Sequence, residues 1–545
     1  MCGIWALLSQ TPIHQLGKLC DSFMKSKGRG PEYSSFDLIN PYTLLGFHRL
    51  AIMDLSADGN QPFHHVRKDG SCIYCICNGE IYEHETLKKK YNIVTRSQSD
   101  CEVIIPLYEK LGLEETCKVL GSEFAFVLID VSADGKIKMM AGRDPIGNRP
   151  LFYGKNDTSI CLSSEMKSLS DIYEDVYVFQ PGHYLVSENG NESISQYYQY
   201  EYPRLPLDND ANTIRSTIRE KFTRCVEKRL MTERPFGCLL SGGLDSSLVC
   251  AVAKSLLPNV RFPVFTIAFT TGSTDLPYAK KVVQHLDLEH HIIEVDPEEA
   301  VKEIEETIAA IESYDITTVR ASTVQRIIAK YIQEKSNVKV LLVGENSDEL
   351  FQGYKYFYNQ PSNDEGHIDS INRVRDVHRY DGLRTDRTMS YHGLEVRLPF
   401  ADPELIDYVF SIDPSLVRPQ GGYEKTLLRD AFKDMNILPN DVLYRSKEAL
   451  SDGCSGIKKS WYQYIQEYVE GLVSDEEFEM EKGKFKHCTP FTKESYYYRK
   501  KFVEYFGGGE TKAQTIPYFW MPRWCPETND PSARTLSVYV QEADE

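Results

Sequence analysis

The chain has 545 residues, a formal net charge of −18, 41% hydrophobic and 26% charged residues. That length exceeds one ordinary core and calls for two or more domains, in a globular composition. The acidic balance, with a pI of about 5.3, argues against binding nucleic acid or anionic membrane by bulk electrostatics, and no apolar run reaches the roughly 18 residues that a membrane-spanning helix needs.

The chain opens MCGIWALL. Loss of Met1 would leave Cys2 with a thiol and a free α-amine on one residue, a nucleophile beside its own base. The plain alternative is a first strand whose second residue carries no chemistry. The opening has no basic start and a short apolar run closed by SQTPIH, so no signal peptide is predicted. The 14 cysteines are expected as buried thiols in a reducing, cytoplasmic setting. The tightest cluster, Cys72, Cys75 and Cys77, lacks a second pair to complete a zinc site and reads as strand.

IYCIC, FAFVLID and KIKMMAG alternate or run apolar between Gly, Asn and Asp breaks, predicting antiparallel sheets with a few helices over residues 1–200. Residues 201–212, rich in Pro, Asp and Asn, read as a linker. A second domain is expected over 213–545. NTIRSTIREKFTRCVEKRLM has helical spacing, FGCLL reads as strand, SLVCAVAKSLL as helix, and RFPVFTIAF and VKVLLVG as buried strands. Strands alternating with helices predict a parallel α/β sheet. Past Asp402 the chain reads as mostly helical, with VSDEEFEMEKGKF and YFGGGETK as solvated loops.

Between FGCLL and its helix lies SGGLDSS. Glycines there admit a ligand close to the backbone, and the free N–H groups of the helix start, with Ser241, Ser246 and Ser247, suit an anion. Asp245 in a phosphate pocket implies a bridging Mg²⁺. The plain alternative is a glycine turn with a serine cap. No GxxxxGK[ST] occurs, so this is not a Walker-type loop.

SGGLDSS resembles the loop of the ATP pyrophosphatases, and the whole chain resembles glutamine-hydrolysing asparagine synthetase. MCGIWALL, GFHRLAIMD, CNGEIY, SDCEVI, GRDPIGNRPLF and SSEMKSL carry the resemblance in the first half. CLLSGGLDSSLV, DITTVRAST, GENSDELFQGY, LRTDRTMSYHGLEVRLPF, EKTLLR and SKEALSDG carry it in the second. It implies an N-terminal nucleophile glutaminase joined to an ATP-pyrophosphatase-type synthetase, with glutamine, aspartate and ATP as substrates, Mg²⁺ accompanying ATP, and a homodimer.

By the same resemblance, Cys2 is the nucleophile, and Asn78 and Gly79 form the oxyanion hole. Arg49 clamps the glutamine carboxylate; Glu80 and Asp100 meet its amine. Leu240, Ser241, Gly242, Gly243, Asp245, Ser246, Ser247, Ile267, Val343, Gly344 and Asp348 hold ATP or pyrophosphate, Asp245 and Asp348 through the metal. Thr317, Arg320 and Glu345 meet aspartate or its acyl intermediate, and Lys425 stabilises charge on the α-phosphate. The implied reaction releases ammonia at Cys2 and delivers it through a dry passage to β-aspartyl-AMP, giving asparagine and AMP.

The sequence departs from the family pattern at several points. Val343 and Asn346 stand where serine and glycine are usual, Gly28 where histidine is common, Gly121-Ser122 where a turn Asp-Gly is usual, and Ser446 in place of a proline. A lost hydroxyl at 343 costs about 0.5–1.5 kcal/mol if it donated one hydrogen bond. Asn tolerates a left-handed backbone better than most residues. Rival readings are a β-lactam-forming synthetase, a non-catalytic relative, and a glutaminase with a silent synthetase half. Cys2 and CNGE argue against the first, and the joint presence of Cys2, Asp245, Glu345 and Lys425 against the second.

Overall fold

Alternation decides the first half. The structure, a computed structural model, describes residues 1–188, 190–205 and 210–537. Among these, two six-stranded antiparallel sheets form before residue 200. Gly3–Ser9 lies inside the first, between Thr43–Arg49 and Ser159–Ser163; Cys72–Glu80 lies inside the second, between Phe63–Val66 and Glu123–Val131. Along Gly3–Ser9, Ile4 and Ala6 meet Ile76, Val127 and Ala141 of the other sheet in a shared core, while Trp5 and Leu7 face the opposite way. Along Cys72–Glu80, Ile76 points into that core and Cys75 and Cys77 point into a cluster with the helical residues Leu87, Ile104 and Leu107. Period-two side chains thus bury both faces. Cys2 directly precedes the first of these inner strands, and Asn78 lies near the end of the second.

The second half contains a five-stranded, all-parallel sheet ordered Glu289–Val295, Pro263–Phe269, Phe236–Leu239, Val340–Leu342, Glu395–Arg397. Strand order reverses between Phe236–Leu239 and Val340–Leu342, and the carboxyl ends at such a reversal open a crevice for ligands. SGGLDSS follows the first of these strands and GENSDE follows the second. Beyond Asp402 the described chain is helical and turn structure, as expected.

All fourteen cysteines are free thiols. Helix Ala211–Lys228, capped by the Asp210 carboxylate on Thr213 N–H, starts inside the stretch expected as linker; residues 206–209 of that stretch lie outside the described residues. VSDEEFEMEKGKF is a correction: Ser474 caps a helix over Asp475–Glu481, whose acidic first turn suits the positive helix end. Its charges hid it, because it buries no side chain and so shows no apolar period.

Candidate functional site

Two separate clusters of chemistry-bearing residues emerge. At the first, the half-buried Cys2 thiol points at Leu50 O, 3.7 Å away. Burial pushes that thiol up to about 11, against the pull of the neighbouring terminal amine. Met1 is itself buried, its α-amine 3.3 Å from Glu395 of the second half. Asn78 is wholly buried, and neither end of its side-chain amide meets a partner among the described residues. Gly79 follows, and a Cβ there would lie 2.6 Å from Glu123 O, so glycine alone fits. Glu80 pairs with Arg397 at 3.0 Å; burial first, then Glu395 and Asp100, raise its carboxyl well above the usual range. Asp100 accepts from Ile81 N–H at 2.6 Å and is raised by burial. Burial raises the Glu395 carboxyl too, but the terminal amine, Arg397 and Arg149 outweigh it and hold it at about 2, and its charge adds to the upward push on Glu80 and Asp100. Arg49 adjoins Leu50, but its guanidinium donates to Ser56 O at 2.6 Å, Asn60 Oδ1 at 2.7 Å and Asp54 O, organising its own loop.

The second cluster lines a solvent-open cavity at the sheet reversal. Leu240, Ser241, Gly243, Asp245, Ser246, Ile267, Thr317, Arg320, Gly344, Glu345, Asp348 and Lys425 all reach its wall. Gly242 supports the turn from behind, at φ +79, where a side chain would strain the backbone and meet Ala279 N. Ser247 and Val343 lie wholly buried outside the wall, Val343 N–H donating to Arg397 O at 3.2 Å. Asn346 adopts φ +74, the left-handed backbone expected of a glycine replacement, and its amide donates to Phe400 O at 2.8 Å.

Charge is concentrated at the cavity floor. Lys425 Nζ sits 2.5 Å from Asp245 and 2.7 Å from Asp348, and Lys447 Nζ 2.5 Å from the other Asp348 oxygen. Burial drives the Asp348 carboxyl up, but the two lysines outweigh it and hold it at about 2. Ser347 Oγ donates to Asp245 at 2.7 Å. An ammonium already bridges the two carboxylates, so their oxygens converge on one cation position. Two carboxylates fit Mg²⁺, which keeps waters and shares phosphate ligands. Among the described residues no cluster of three or more His, Cys, Asp or Glu forms a metal cage.

Glu345 accepts from Gln325 at 3.1 Å and Arg384 at 3.3 Å. Thr317 Oγ1 donates to Asp315, which caps helix Ile316–Lys335. Arg320 reaches the wall with its guanidinium committed to Glu494 and Asp530, at 2.7–2.8 Å.

Sequence reasoning missed Lys447, Glu349, Asp381 and Arg384 on this wall. Lys447 stands in SKEALSDG and Glu349 in GENSDE, so motif membership was the available signal. Wholly buried Glu349 accepts from Tyr354 OH at 2.5 Å; burial, then Asp381 and Asp348, push its carboxyl up from 4.5 to about 8. The folded protein thus retains a proton that the unfolded chain gives up. Stability from this group is full below 4.5 and is lost as pH climbs toward about 8. In Glu349→Gln the thermal-stability difference from the parent should therefore shift in the variant's favour between about pH 5 and pH 8. A pH-independent difference in melting temperature would contradict the raised carboxyl.

Several departures find a structural reason. Ser122 Oγ accepts from Tyr82 N–H at 3.1 Å, and Ser446 Oγ accepts from buried Lys355 at 2.8 Å. A Cβ at Gly28 would lie 2.8 Å from Tyr391 O of the second half, so no larger residue fits this closely docked loop.

A family model described as a glutamine amidotransferase domain matches residues 1–172, and one described as asparagine synthase matches 217–372 and 365–518. Fold and sites thus define an amidotransferase joined to an α/β synthetase. Asparagine synthetases [glutamine-hydrolyzing] of Bos taurus and Gallus gallus are each 40% identical over 567 residues, covering 99% of this chain and 99% of theirs. The chain belongs to the glutamine-hydrolysing asparagine synthetase family. Among solved structures, a glutamine phosphoribosylpyrophosphate amidotransferase from B. subtilis aligns at 13% identity and TM-score 0.31, covering 54% of this chain and 81% of that one, too slight a likeness to bear on activity.

Proposed function

We propose that the chain makes asparagine from aspartate, glutamine and ATP in two sites, residues 1–200 hydrolysing glutamine and residues 213–545 activating aspartate. The observation that carries this is the convergence of the Ser241–Ser247 loop, two carboxylates and two lysines at the sheet reversal. Mg²⁺ held by Asp245 and Asp348 would neutralise the pyrophosphate leaving group. Phosphate oxygens then replace these carboxylates as partners of Lys425 and Lys447, which stabilise charge as the α-phosphate is attacked. Asp381 beside Arg384, 3.0 Å away, offers both signs of charge to the amine and carboxylate of aspartate. The side-chain carboxylate of aspartate attacks the α-phosphorus, forming β-aspartyl-AMP and releasing pyrophosphate.

In the first half, removal of Met1 frees the Cys2 amine to take the thiol proton. The thiolate attacks the glutamine amide carbon, with Asn78 Nδ2 and Gly79 N–H set for the oxyanion. Ammonia leaves, and water hydrolyses the thioester to glutamate. Ammonia attacks the acyl carbon of β-aspartyl-AMP near Glu345, giving asparagine and AMP. The support for Asn78 is its buried amide without a partner among the described residues; the role of Arg49 requires its guanidinium to meet substrate while holding its loop. A product assay with glutamine, aspartate and Mg-ATP tests the proposal. AMP and pyrophosphate are expected in step with asparagine; ADP and phosphate in their place would refute it.

A further inference from the structure

One helix touches both sites. Asp381 and Arg384 of helix Asp381–Ser390 line the synthetase cavity, Arg384 donating to Glu345 at 3.3 Å and to Gln325 at 3.1 Å. Asp386 and Ser390 of the same helix leave the cavity and meet Arg29 of the first half. Two residues advance a helix by about 200°, so Arg384 and Asp386 face opposite ways, while Asp386 and Ser390, one turn apart, share a face. Arg29 is buried and donates to both Asp386 oxygens, at 2.8 and 3.1 Å, and to Ser390 Oγ at 3.0 Å. Its remaining Nε donates to the backbone carbonyl of Cys2 at 2.8 Å. A bidentate guanidinium–carboxylate pair fixes orientation as well as distance. Neighbouring Arg387 extends the anchor, pairing with Glu312 at 3.3 Å, and Glu312 accepts from Met166 and Lys167 N–H of the first half at 2.9 and 2.7 Å.

We propose that helix Asp381–Ser390 couples the two sites, with Asp386 as the positioning residue that, through Arg29, sets the Cys2 backbone according to what occupies the synthetase cavity. This rests on the two-site reaction proposed above. Ligands that engage Arg384 and Glu345 bias the helix at one face; its other face carries the shift to the nucleophile. Close packing makes such a helix move as a unit rather than yield locally. Glutamine hydrolysis should therefore run faster when ATP and aspartate are present.

The test compares the full-length parent with Asp386→Asn and the milder Ser390→Ala. Glutamate release is measured with and without Mg-ATP and aspartate, alongside asparagine formation from ammonium chloride. The parent should show stimulated hydrolysis. Asp386→Asn should bring the stimulation ratio close to one through kcat, leave the glutamine KM within about twofold, and preserve ammonia-dependent synthesis, which also shows that the variant folds. Ser390→Ala should give an intermediate ratio. Stimulation unchanged in Asp386→Asn, absent from the parent, or lost only together with ammonia-dependent synthesis in both variants would overturn the coupling. A parent unable to make asparagine even from ammonia would instead overturn the two-site reaction and the coupling with it.

Discussion

Asp348→Asn should abolish aspartate-dependent AMP formation, by roughly a hundredfold or more, while glutamine hydrolysis persists. The carboxylate answers two lysines, at 2.7 and 2.5 Å, on the cavity floor. Its amide replacement would keep the shape but lose the charge that a phosphate-bound cation needs. Removing one partner of a buried ion pair also destabilises, by about 3–5 kcal/mol, so the variant must be shown to fold. A melting transition as cooperative as the parent's supplies that control, because the Cys2 cluster lies on a different sheet system and its activity does not report on the cavity's fold. Asp245→Asn should behave alike, since its oxygens hold Lys425 and Ser347. Full asparagine synthesis by either variant would remove the proposed metal role.

Cys2→Ala has the second large effect. Glutamine-dependent synthesis should fall to background, and ammonia-dependent synthesis should stay within about twofold of the parent. With Met1 in place, the amine at the chain start is buried against Glu395 and the Cys2 thiol is pushed up to about 11. Fewer than about one molecule in a thousand then carries the thiolate at neutral pH. An active glutaminase needs another source of base, and the amine of a processed Cys2 provides one on the same residue. Mass spectrometry of the active enzyme should accordingly find Cys2 as the first residue. Retained Met1 on active protein, or glutamine-dependent synthesis by Cys2→Ala, would contradict this role. Loss with both nitrogen sources would assign the residue to folding.

What could be read beforehand tracks the range of the physics involved. Strands such as Glu123–Val131 and Pro263–Phe269 were visible because buried faces impose local periodicity. SGGLDSS was visible because a strand, glycines and a helix start follow one another in sequence. Glu395–Arg397 was not: three residues carry no measurable period, yet this strand brings Glu395 to the N-terminal amine and Arg397 to Glu80. Arg29 and Asp386, 357 positions apart, gain meaning only through a long-range contact. Val343 shows what a motif position leaves out: the fold buries its side chain outside the cavity wall. The resemblance implies a substrate carboxylate for Arg49, and in the fold its fork is also held by the carbonyls of Met53, Asp54 and Ser56 and by Asn60 Oδ1. Charged residues in sequence read as solvated; here buried arginines such as Arg29, Arg229 and Arg397 tie the halves together through Asp386, Glu123 and Glu80.

The joining of two chemistries in one chain is tested most directly by tracing nitrogen. The enzyme is supplied with amide-¹⁵N glutamine, aspartate and Mg-ATP in the presence of unlabelled ammonium, and asparagine is analysed by mass spectrometry. Transfer from the Cys2 site to the cavity at the sheet reversal predicts asparagine labelled in its amide well beyond the isotope fraction of the bulk ammonium. Asparagine carrying only the bulk isotope fraction, with labelled ammonium released to solution, would contradict it.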